Sequence, residues 1–205
     1  MNRTLITLAV VALVASGPLF AQQSQPTQPT STVPTNTVND RRENQQDRIA
    51  NGVQSGQLTA GETKNLEGRE ANLNREIRDD RSADGGKLTQ QERNQVNRQQ
   101  TNISRSIYND KHNANTAHYG NNEVGARRQL QQDRIAQGIR SGQMTAGEAA
   151  RTENREQGIN QQIHADRQAN GGKLTGQERA QINHEQNGAS RQIYRQKHNN
   201  RVQPK

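Results

Sequence analysis

Residues 45 to 113 align without a gap to residues 131 to 199 at an offset of 86, and 40 of those 69 positions are identical. A chain that repeats itself at this length folds as repeated supersecondary units, each of which leaves a face for its neighbour to cover. A shorter period of 30 runs inside each copy. Leu58-Thr59-x-x-Glu62 recurs as Leu88-Thr89-x-x-Glu92, and the apolar trio Leu66, Leu73, Ile77 recurs as Val96, Ile103, Ile107. Spacings of seven and then four put each trio on one face of a helix.

In the second copy the corresponding boxes are Met144-Thr145-x-x-Glu148 and Leu174-Thr175-x-x-Glu178. Thr-x-x-Glu is a capping box: the threonine hydroxyl accepts from the N3 amide and the glutamate reaches back to the N-cap amide. Before the boxes lie Ser55-Gly56, Gly85-Gly86, Ser141-Gly142 and Gly171-Gly172, which end the preceding helices because glycine takes the left-handed conformation without a steric cost. These signals predict helices over 41–54, 59–83 and 89–112, then 127–140, 145–169 and 175–198. The fold class is all-α, two tandem three-helix (helix-loop-helix) units, with short glycine turns favouring antiparallel neighbours.

Ahead of the repeats, Arg3, the apolar run Leu5 to Val14 and Leu19-Phe20-Ala21 follow the pattern of a cleavable export signal over 1–21. The run is shorter than the roughly 20 residues that span a bilayer. Residues 22–39, with Pro26, Pro29 and Pro34 among Gln, Thr and Ser, read as a disordered linker. The domains follow as repeat 1 over 40–116, a connector over 117–126 on which the two bundles move independently, repeat 2 over 127–200 and a tail over 201–205. The chain has no cysteine, so it forms no disulfide and has no thiolate metal ligand.

Beyond Ala21, Leu, Ile, Val and Phe make up 22 of 184 residues, below the roughly 20% usual for a chain that buries a good core. The second copy is weaker still: Leu66 and Ile103 become Thr152 and Ala189, and Gly158 enters a helix interior at about 1 kcal/mol. Marginal stability is expected, with a partner or a second chain of the same kind (a homo-oligomer) completing the burial.

Gly-x-Leu-Thr-x-x-Glu matches the second half of an EF-hand loop, where a glycine turns the chain and the last glutamate binds calcium through both oxygens. The first half does not match. With Glu92 as the last ligand, the first three ligand positions fall on Arg81, Ala83 and Gly85; with Glu178 they fall on Arg167, Ala169 and Gly171. The remaining calcium candidates are Asp80, Asp84 and Glu92 in the first copy and Asp166 and Glu178 in the second, out of register with such a loop.

Ser104-Arg105-x-Ile107-Tyr108-x-x-Lys111-His112-Asn113 repeats as Ser190-Arg191-x-Ile193-Tyr194-x-x-Lys197-His198-Asn199. Arg105, Tyr108, Lys111, His112 and Arg191, Tyr194, Lys197, His198 are the candidate ligand contacts, able to offer aromatic and cationic surface to a sugar or a phosphate. The structural alternative has Ile and Tyr packing on the bundle, Lys and His complementing the helix dipole, and Asn capping the helix. The five histidines lack metal-site spacing, and nothing supplies a nucleophile with an oxyanion device, so no catalytic residue and no cofactor is expected. Basic residues are interleaved with acids, which excludes a dense nucleic-acid stripe.

In the strings Ser55-Gly56-x-Leu58-Thr59-x-x-Glu62, Gly85-Gly86-Lys87-Leu88-Thr89-x-x-Glu92-Arg93 and Ser104 to Asn113 the chain resembles a group of small exported bacterial proteins. The resemblance covers 45–199. It implies a helical protein of a Gram-negative periplasm or exterior, and brings no activity with it. The expected function is a non-catalytic structural or binding protein, its partner a periplasmic protein or an anionic envelope component. A degenerate EF-hand calcium binder and a basic module for anionic envelope components are the alternatives. A far-ultraviolet circular dichroism melt of residues 22–205 should therefore be helical and cooperative, and unchanged by excess calcium over EDTA.

Overall fold

The computed structural model describes residues 37–203, all within one compact unit of the chain; the export signal and nearly all of the linker lie outside the described residues. Six helices and no strand are found there: α1 (Val38–Ser55), α2 (Ala60–Ala83), α3 (Gln90–Lys111), α4 (Glu123–Arg140), α5 (Ala146–Ala169) and α6 (Gly176–Lys197). Thr59, Thr89, Thr145 and Thr175 each take the N-cap, and each hydroxyl accepts from the amide three residues on at 3.3 Å. The paired glutamates return the bond to the N-cap amide at 2.7–3.1 Å. Gly56 and Gly142 end α1 and α4 with φ of 72° and 71°.

Two helix starts fall earlier than the sequence spacing predicts, at Val38 rather than 41 and at Glu123 rather than 127. The reason is local. Thr37 and Asp40 form a fifth capping box in which aspartate replaces glutamate, and Asn122 caps α4 by accepting from the Gly125 amide at 3.0 Å. Linker and connector are correspondingly shorter than drawn.

The two copies are not the separate bundles that the connector suggested; they pack on each other, α1 against α4 and α2 against α5. Gln157 meets Gly61 while Ala71 meets Gly147, reciprocal contacts that run α2 antiparallel to α5 about a pseudo-two-fold axis. The larger of two apolar clusters draws Ile49, Val53, Leu66 and Leu73 from the first copy and Ile135, Ile139, Met144 and Ala149 from the second, while Val124, Ile159, Ile163, Ile182 and Ala189 form a smaller one within the second copy. The physical reason is the thin apolar face of each unit: neither copy has enough Leu and Ile to close its own core, and each completes the other. The connector is held too. Ala117 donates its amide to Gly56 O at 2.8 Å, and a Cβ on Gly125 would lie 1.9 Å from Tyr119 O, so only glycine lets the connector cross the start of α4.

Much of what the helices bury is polar. Gln45 on α1 donates to Gln100 O and Ser104 Oγ on α3 at 2.7 and 3.0 Å, and Gln100 donates to Val38 O at 2.8 Å. Gln131 and Gln186 repeat the set in the second copy at 2.8, 3.1 and 3.0 Å. These amides tie α1 to α3 and α4 to α6 through their NH2 groups, which donate to helix carbonyls. The Oε1 atoms of Gln45, Gln100, Gln131 and Gln186 are buried without a partner among the described residues, so the bonds offset only part of the desolvation.

On α1, Gly52 receives the side chain of Leu58, whose Cγ and Cδ1 lie 2.6 Å from where a Cβ would stand; Met144 sits on Gly138 in the same way. Gly52→Ala should cost about 1–3 kcal/mol of stability through overpacking, read as a lower thermal midpoint. Gly68→Ala, in a helix interior with nothing within 4 Å, should instead stabilise slightly. The unmutated chain should melt in one transition, since the copies share a core; two resolved transitions would show that they unfold separately.

Candidate functional site

The ten-residue motif at the ends of α3 and α6 is mostly used internally. Ser104 and Ser190 receive the amides of Gln45 and Gln131, Ile107 and Ile193 are buried, and Asn113 and Asn199 donate to Glu62 Oε1 and Glu148 Oε1 at 2.8 Å, binding the end of α3 and α6 to the capping box of α2 and α5. The C-cap positions fall to His112 and His198, not to the asparagines. Tyr108 and Tyr194 do not pack on the bundle. They are 59% and 62% exposed, each stacked on the histidine one turn on (His112, His198) at 4.2 Å between ring centres. Lys111 lays its stem against Gly52, Lys197 donates to Gln137 Oε1 at 2.7 Å, and Arg105 and Arg191 are exposed on the outer faces.

The calcium candidates are only partly brought together. The Asp84 and Glu92 carboxyls face each other, which raises Asp84, while the Thr89 amide lowers Glu92. In the second copy Asn170 takes the place of Asp84 and donates to both oxygens of Glu178 at 2.8 and 3.0 Å. Among the described residues no three histidine, cysteine or carboxylate side chains are grouped as a metal shell needs. Asp80 is raised by partial desolvation and by the charge of nearby Glu92, and it in turn adds to the rise of Asp84.

The sequence reading missed the most unusual feature, four buried glutamates where the copies meet. Glu67 and Glu70 on α2 and their repeat mates Glu153 and Glu156 on α5 are all essentially inaccessible. Gln46 donates to Glu67 at 3.2 Å and Gln132 to Glu153 at 3.1 Å, while both oxygens of Glu70 lack a hydrogen-bond partner among the described residues. Burial raises all four carboxyls: Glu67 further through the neighbouring Glu70 and Glu153 further through Glu156 and Glu67, well above the ordinary range. Glu70 and Glu156 are pushed up to about 7, the attraction of Arg42 and Arg128 working against the burial. A signal was available. Glu70 lies on the stripe of Leu66, Leu73 and Ile77, and every one of these glutamates and glutamines is retained in both copies while Leu66 and Leu73 beside them become Thr152 and Ile159.

Beside this seam opens a groove of about 800 Å³, walled by the connector, the start of α2 and the facing sides of α4 and α5. Arg128, Arg167, His118 and His164 line it together with Tyr119 and several carboxamides, and no carboxylate does. Arg128 lies over the Tyr119 ring at 5.2 Å from its centre and donates to His118 O at 3.3 Å. Burial, with help from Glu153, pushes the Tyr119 hydroxyl up to about 12, so it remains a neutral donor. The sequence reading placed His118 and Tyr119 in the connector or among the surface aromatics, His164 among the surface histidines and Arg167 at a loop position, and assigned none of them to a common site. The groove forms only when the two copies pack, and no local motif announces it. Neither a family model, nor a curated protein, nor a solved structure matches the chain.

The buried carboxyls set the pH dependence of stability. A carboxyl whose folded pKa lies above its unfolded value binds its proton more tightly when folded. Its contribution is full below the unfolded pKa near 4.5 and is lost as pH rises through about 7. For Glu70 and Glu156 the loss is of order 3 kcal/mol each. The lowered capping glutamate Glu62 acts oppositely, losing its contribution only as pH falls below its depressed value. The thermal midpoint should therefore be higher at pH 5 than at pH 8, by about 5–15 °C, and Glu70→Gln with Glu156→Gln should flatten the difference by raising the pH 8 value.

Proposed function

We propose that this protein is an exported, non-catalytic binding module that holds a polar, anionic ligand of the cell envelope in the groove between its two copies. The observation that carries the reading is the lining: two arginines and two histidines converge with tyrosine and carboxamide donors in a cleft free of carboxylates. Such a wall attracts negative charge and supplies oriented hydrogen bonds, the composition of a site for an anionic glycan or peptide. Non-catalytic use fits the chemistry: the carboxyls with shifted pKa values are sealed inside the seam, and the groove wall offers no serine or cysteine to attack a substrate. Export fits the N-terminal pattern of the sequence. No helix among the described residues is long and apolar enough to cross a membrane.

The test is equilibrium binding of the mature chain to lipopolysaccharide and to soluble cell-wall glycopeptides. Affinity should fall steeply from low to physiological ionic strength, and Arg128→Gln combined with Arg167→Gln should weaken it at least tenfold. Lys87→Gln, in the turn between α2 and α3, should not. Binding indifferent to salt and to both arginines would remove this reading.

A further inference from the structure

The turn between α5 and α6 differs in charge from its mate between α2 and α3, and the difference lies beside the groove. Over 76–93 the first copy carries five acids against four lysines and arginines; over 162–179 the second carries two acids against three. Glu76, Asp79 and Asp84 have become Gln162, Ala165 and Asn170, while Arg81, Lys87 and Arg93 are kept as Arg167, Lys173 and Arg179. Of the two acids that remain, Glu178 accepts from the Thr175 amide and from Asn170 Nδ2, each at 2.8 Å, and Asp166 lines neither the groove nor the cavity next to it. The cations are freed as well as kept. Arg93 donates to Leu88 O and to Gln90 Oε1, but Gly176 stands at the position of Gln90 in the second copy, and Arg179 makes neither bond among the described residues.

Arg167, Lys173 and Arg179 line a second cavity, of about 430 Å³, that adjoins the groove, since Arg167 and Gly172 belong to the walls of both. The one carboxylate on its wall among the described residues, Glu123, is already paired with Arg127 at 3.6 Å. None of the three cations pairs with a carboxylate among the described residues, and Lys173 and Arg179 are exposed. Positive charge therefore extends from Arg128 in the groove, across Arg167, to the turn and the first residues of α6. An anion of one charge would answer one end of this row and leave the rest bare, whereas a chain with a charge on each unit answers it along its length. Stacked bases would need a free aromatic face. Tyr119 is the one large aromatic on either wall among the described residues, and Arg128 already lies over its ring. A peptide would need pockets for its side chains, and the apolar Ile163 and Val124 of these walls are buried.

Resting on the groove reading above, we infer that the ligand is a linear acidic polysaccharide lying across both cavities, its charged sugars meeting Arg128 and Arg167 in the groove and Lys173 and Arg179 beyond it. The exposed carboxamides of Gln161 and Gln168 on the groove wall are donors for its hydroxyl groups. Dispersed cations with carboxamides among them match a chain of dispersed charge and many hydroxyls. The acids that the first copy retains keep the turn between α2 and α3 out of the site.

Oligogalacturonates of defined length separate the two-cavity site from the groove alone. Calorimetric titration of the mature chain at low ionic strength should show affinity rising by about tenfold or more from the trimer to the decamer, as the longer chain engages the second pair of cations. Lys173→Gln with Arg179→Gln should remove that rise and leave trimer binding as it is. Ala165→Asp with Asn170→Asp, which gives the second copy the acids of the first, should also remove it, while Lys87→Gln with Arg93→Gln in the first copy should change neither oligomer. An affinity that does not rise with length, or a rise that survives both turn variants, would overturn the two-cavity site; trimer binding that is still lost in Arg128→Gln with Arg167→Gln would then leave the groove reading standing. No binding of either oligomer would overturn it as well, the groove then being judged on lipopolysaccharide and glycopeptides alone. Oligoglutamate or oligothymidylate of equal charge binding more tightly than the decamer would overturn the choice of a polysaccharide, and weaker binding by both supports it.

Discussion

The packing of α2 against α5 is the contact on which the rest depends, and it is made over carboxyl groups rather than around them. Glu67 and Glu153 approach closely enough across the pseudo-two-fold axis for one to raise the other. Two adjacent ionised carboxylates in a dry interface would repel, and the cost of burying charge is far above that of burying a neutral acid. The seam therefore favours protonated or amide-shielded glutamates, with Gln46 and Gln132 as the shields. An interface of leucines would tolerate sliding. Hydrogen bonds from α1 to α2 and from α4 to α5 hold one register, and that register brings α4, α5 and the start of α2 to the same groove.

The same logic explains how a chain so poor in large apolar residues keeps six helices in place. Five capping boxes fix five of the six helix starts through bonds within three residues of one another. Buried glutamines then tie α1 to α3 and α4 to α6 through helix carbonyls, and glycines at 52 and 138 let the following loop residue sink into the helix surface. Where the second copy loses Leu66 to Thr152, the hydroxyl is taken up by Gln192 and Gln196, so the change to a polar residue is not left unsatisfied. Duplication supplies the remaining burial, each copy acting as the partner that the thin core of the other requires.

Duplication also frees the two halves to differ. The Tyr-His ledges on α3 and α6 are kept alike, as are the buried glutamates, yet the loops after them diverge: one ends in Gln203, which fills the start of α5, and the other continues through Ala117 to His118 and Tyr119, which wall an open groove. A symmetric pair of folds thus gives an asymmetric surface.

Helix number, helix ends and fold class were legible in the sequence because they rest on local chemistry: Thr-x-x-Glu, paired glycines and a seven-four apolar spacing act within a few residues of one another. The early starts of α1 and α4 went unread because neither carries the Thr-x-x-Glu string: Asp40 stands where the other boxes have glutamate, and Asn122 caps α4 with no side chain returning the bond. The inward glutamates were half legible, since Glu70 sits on the stripe of Leu66, Leu73 and Ile77, but a charged residue there reads as solvated until its neighbours are known. The groove was not legible at all, and neither was the exposure of Tyr108. His118, Tyr119, Arg128 and Ala60 come from segments far apart in the chain, and only the packing of one copy on the other brings them together. Local propensity determined the six helices, while the shared core, the seam of buried carboxyls and the groove were decided by tertiary structure, because burial and charge proximity exist only once distant segments have met.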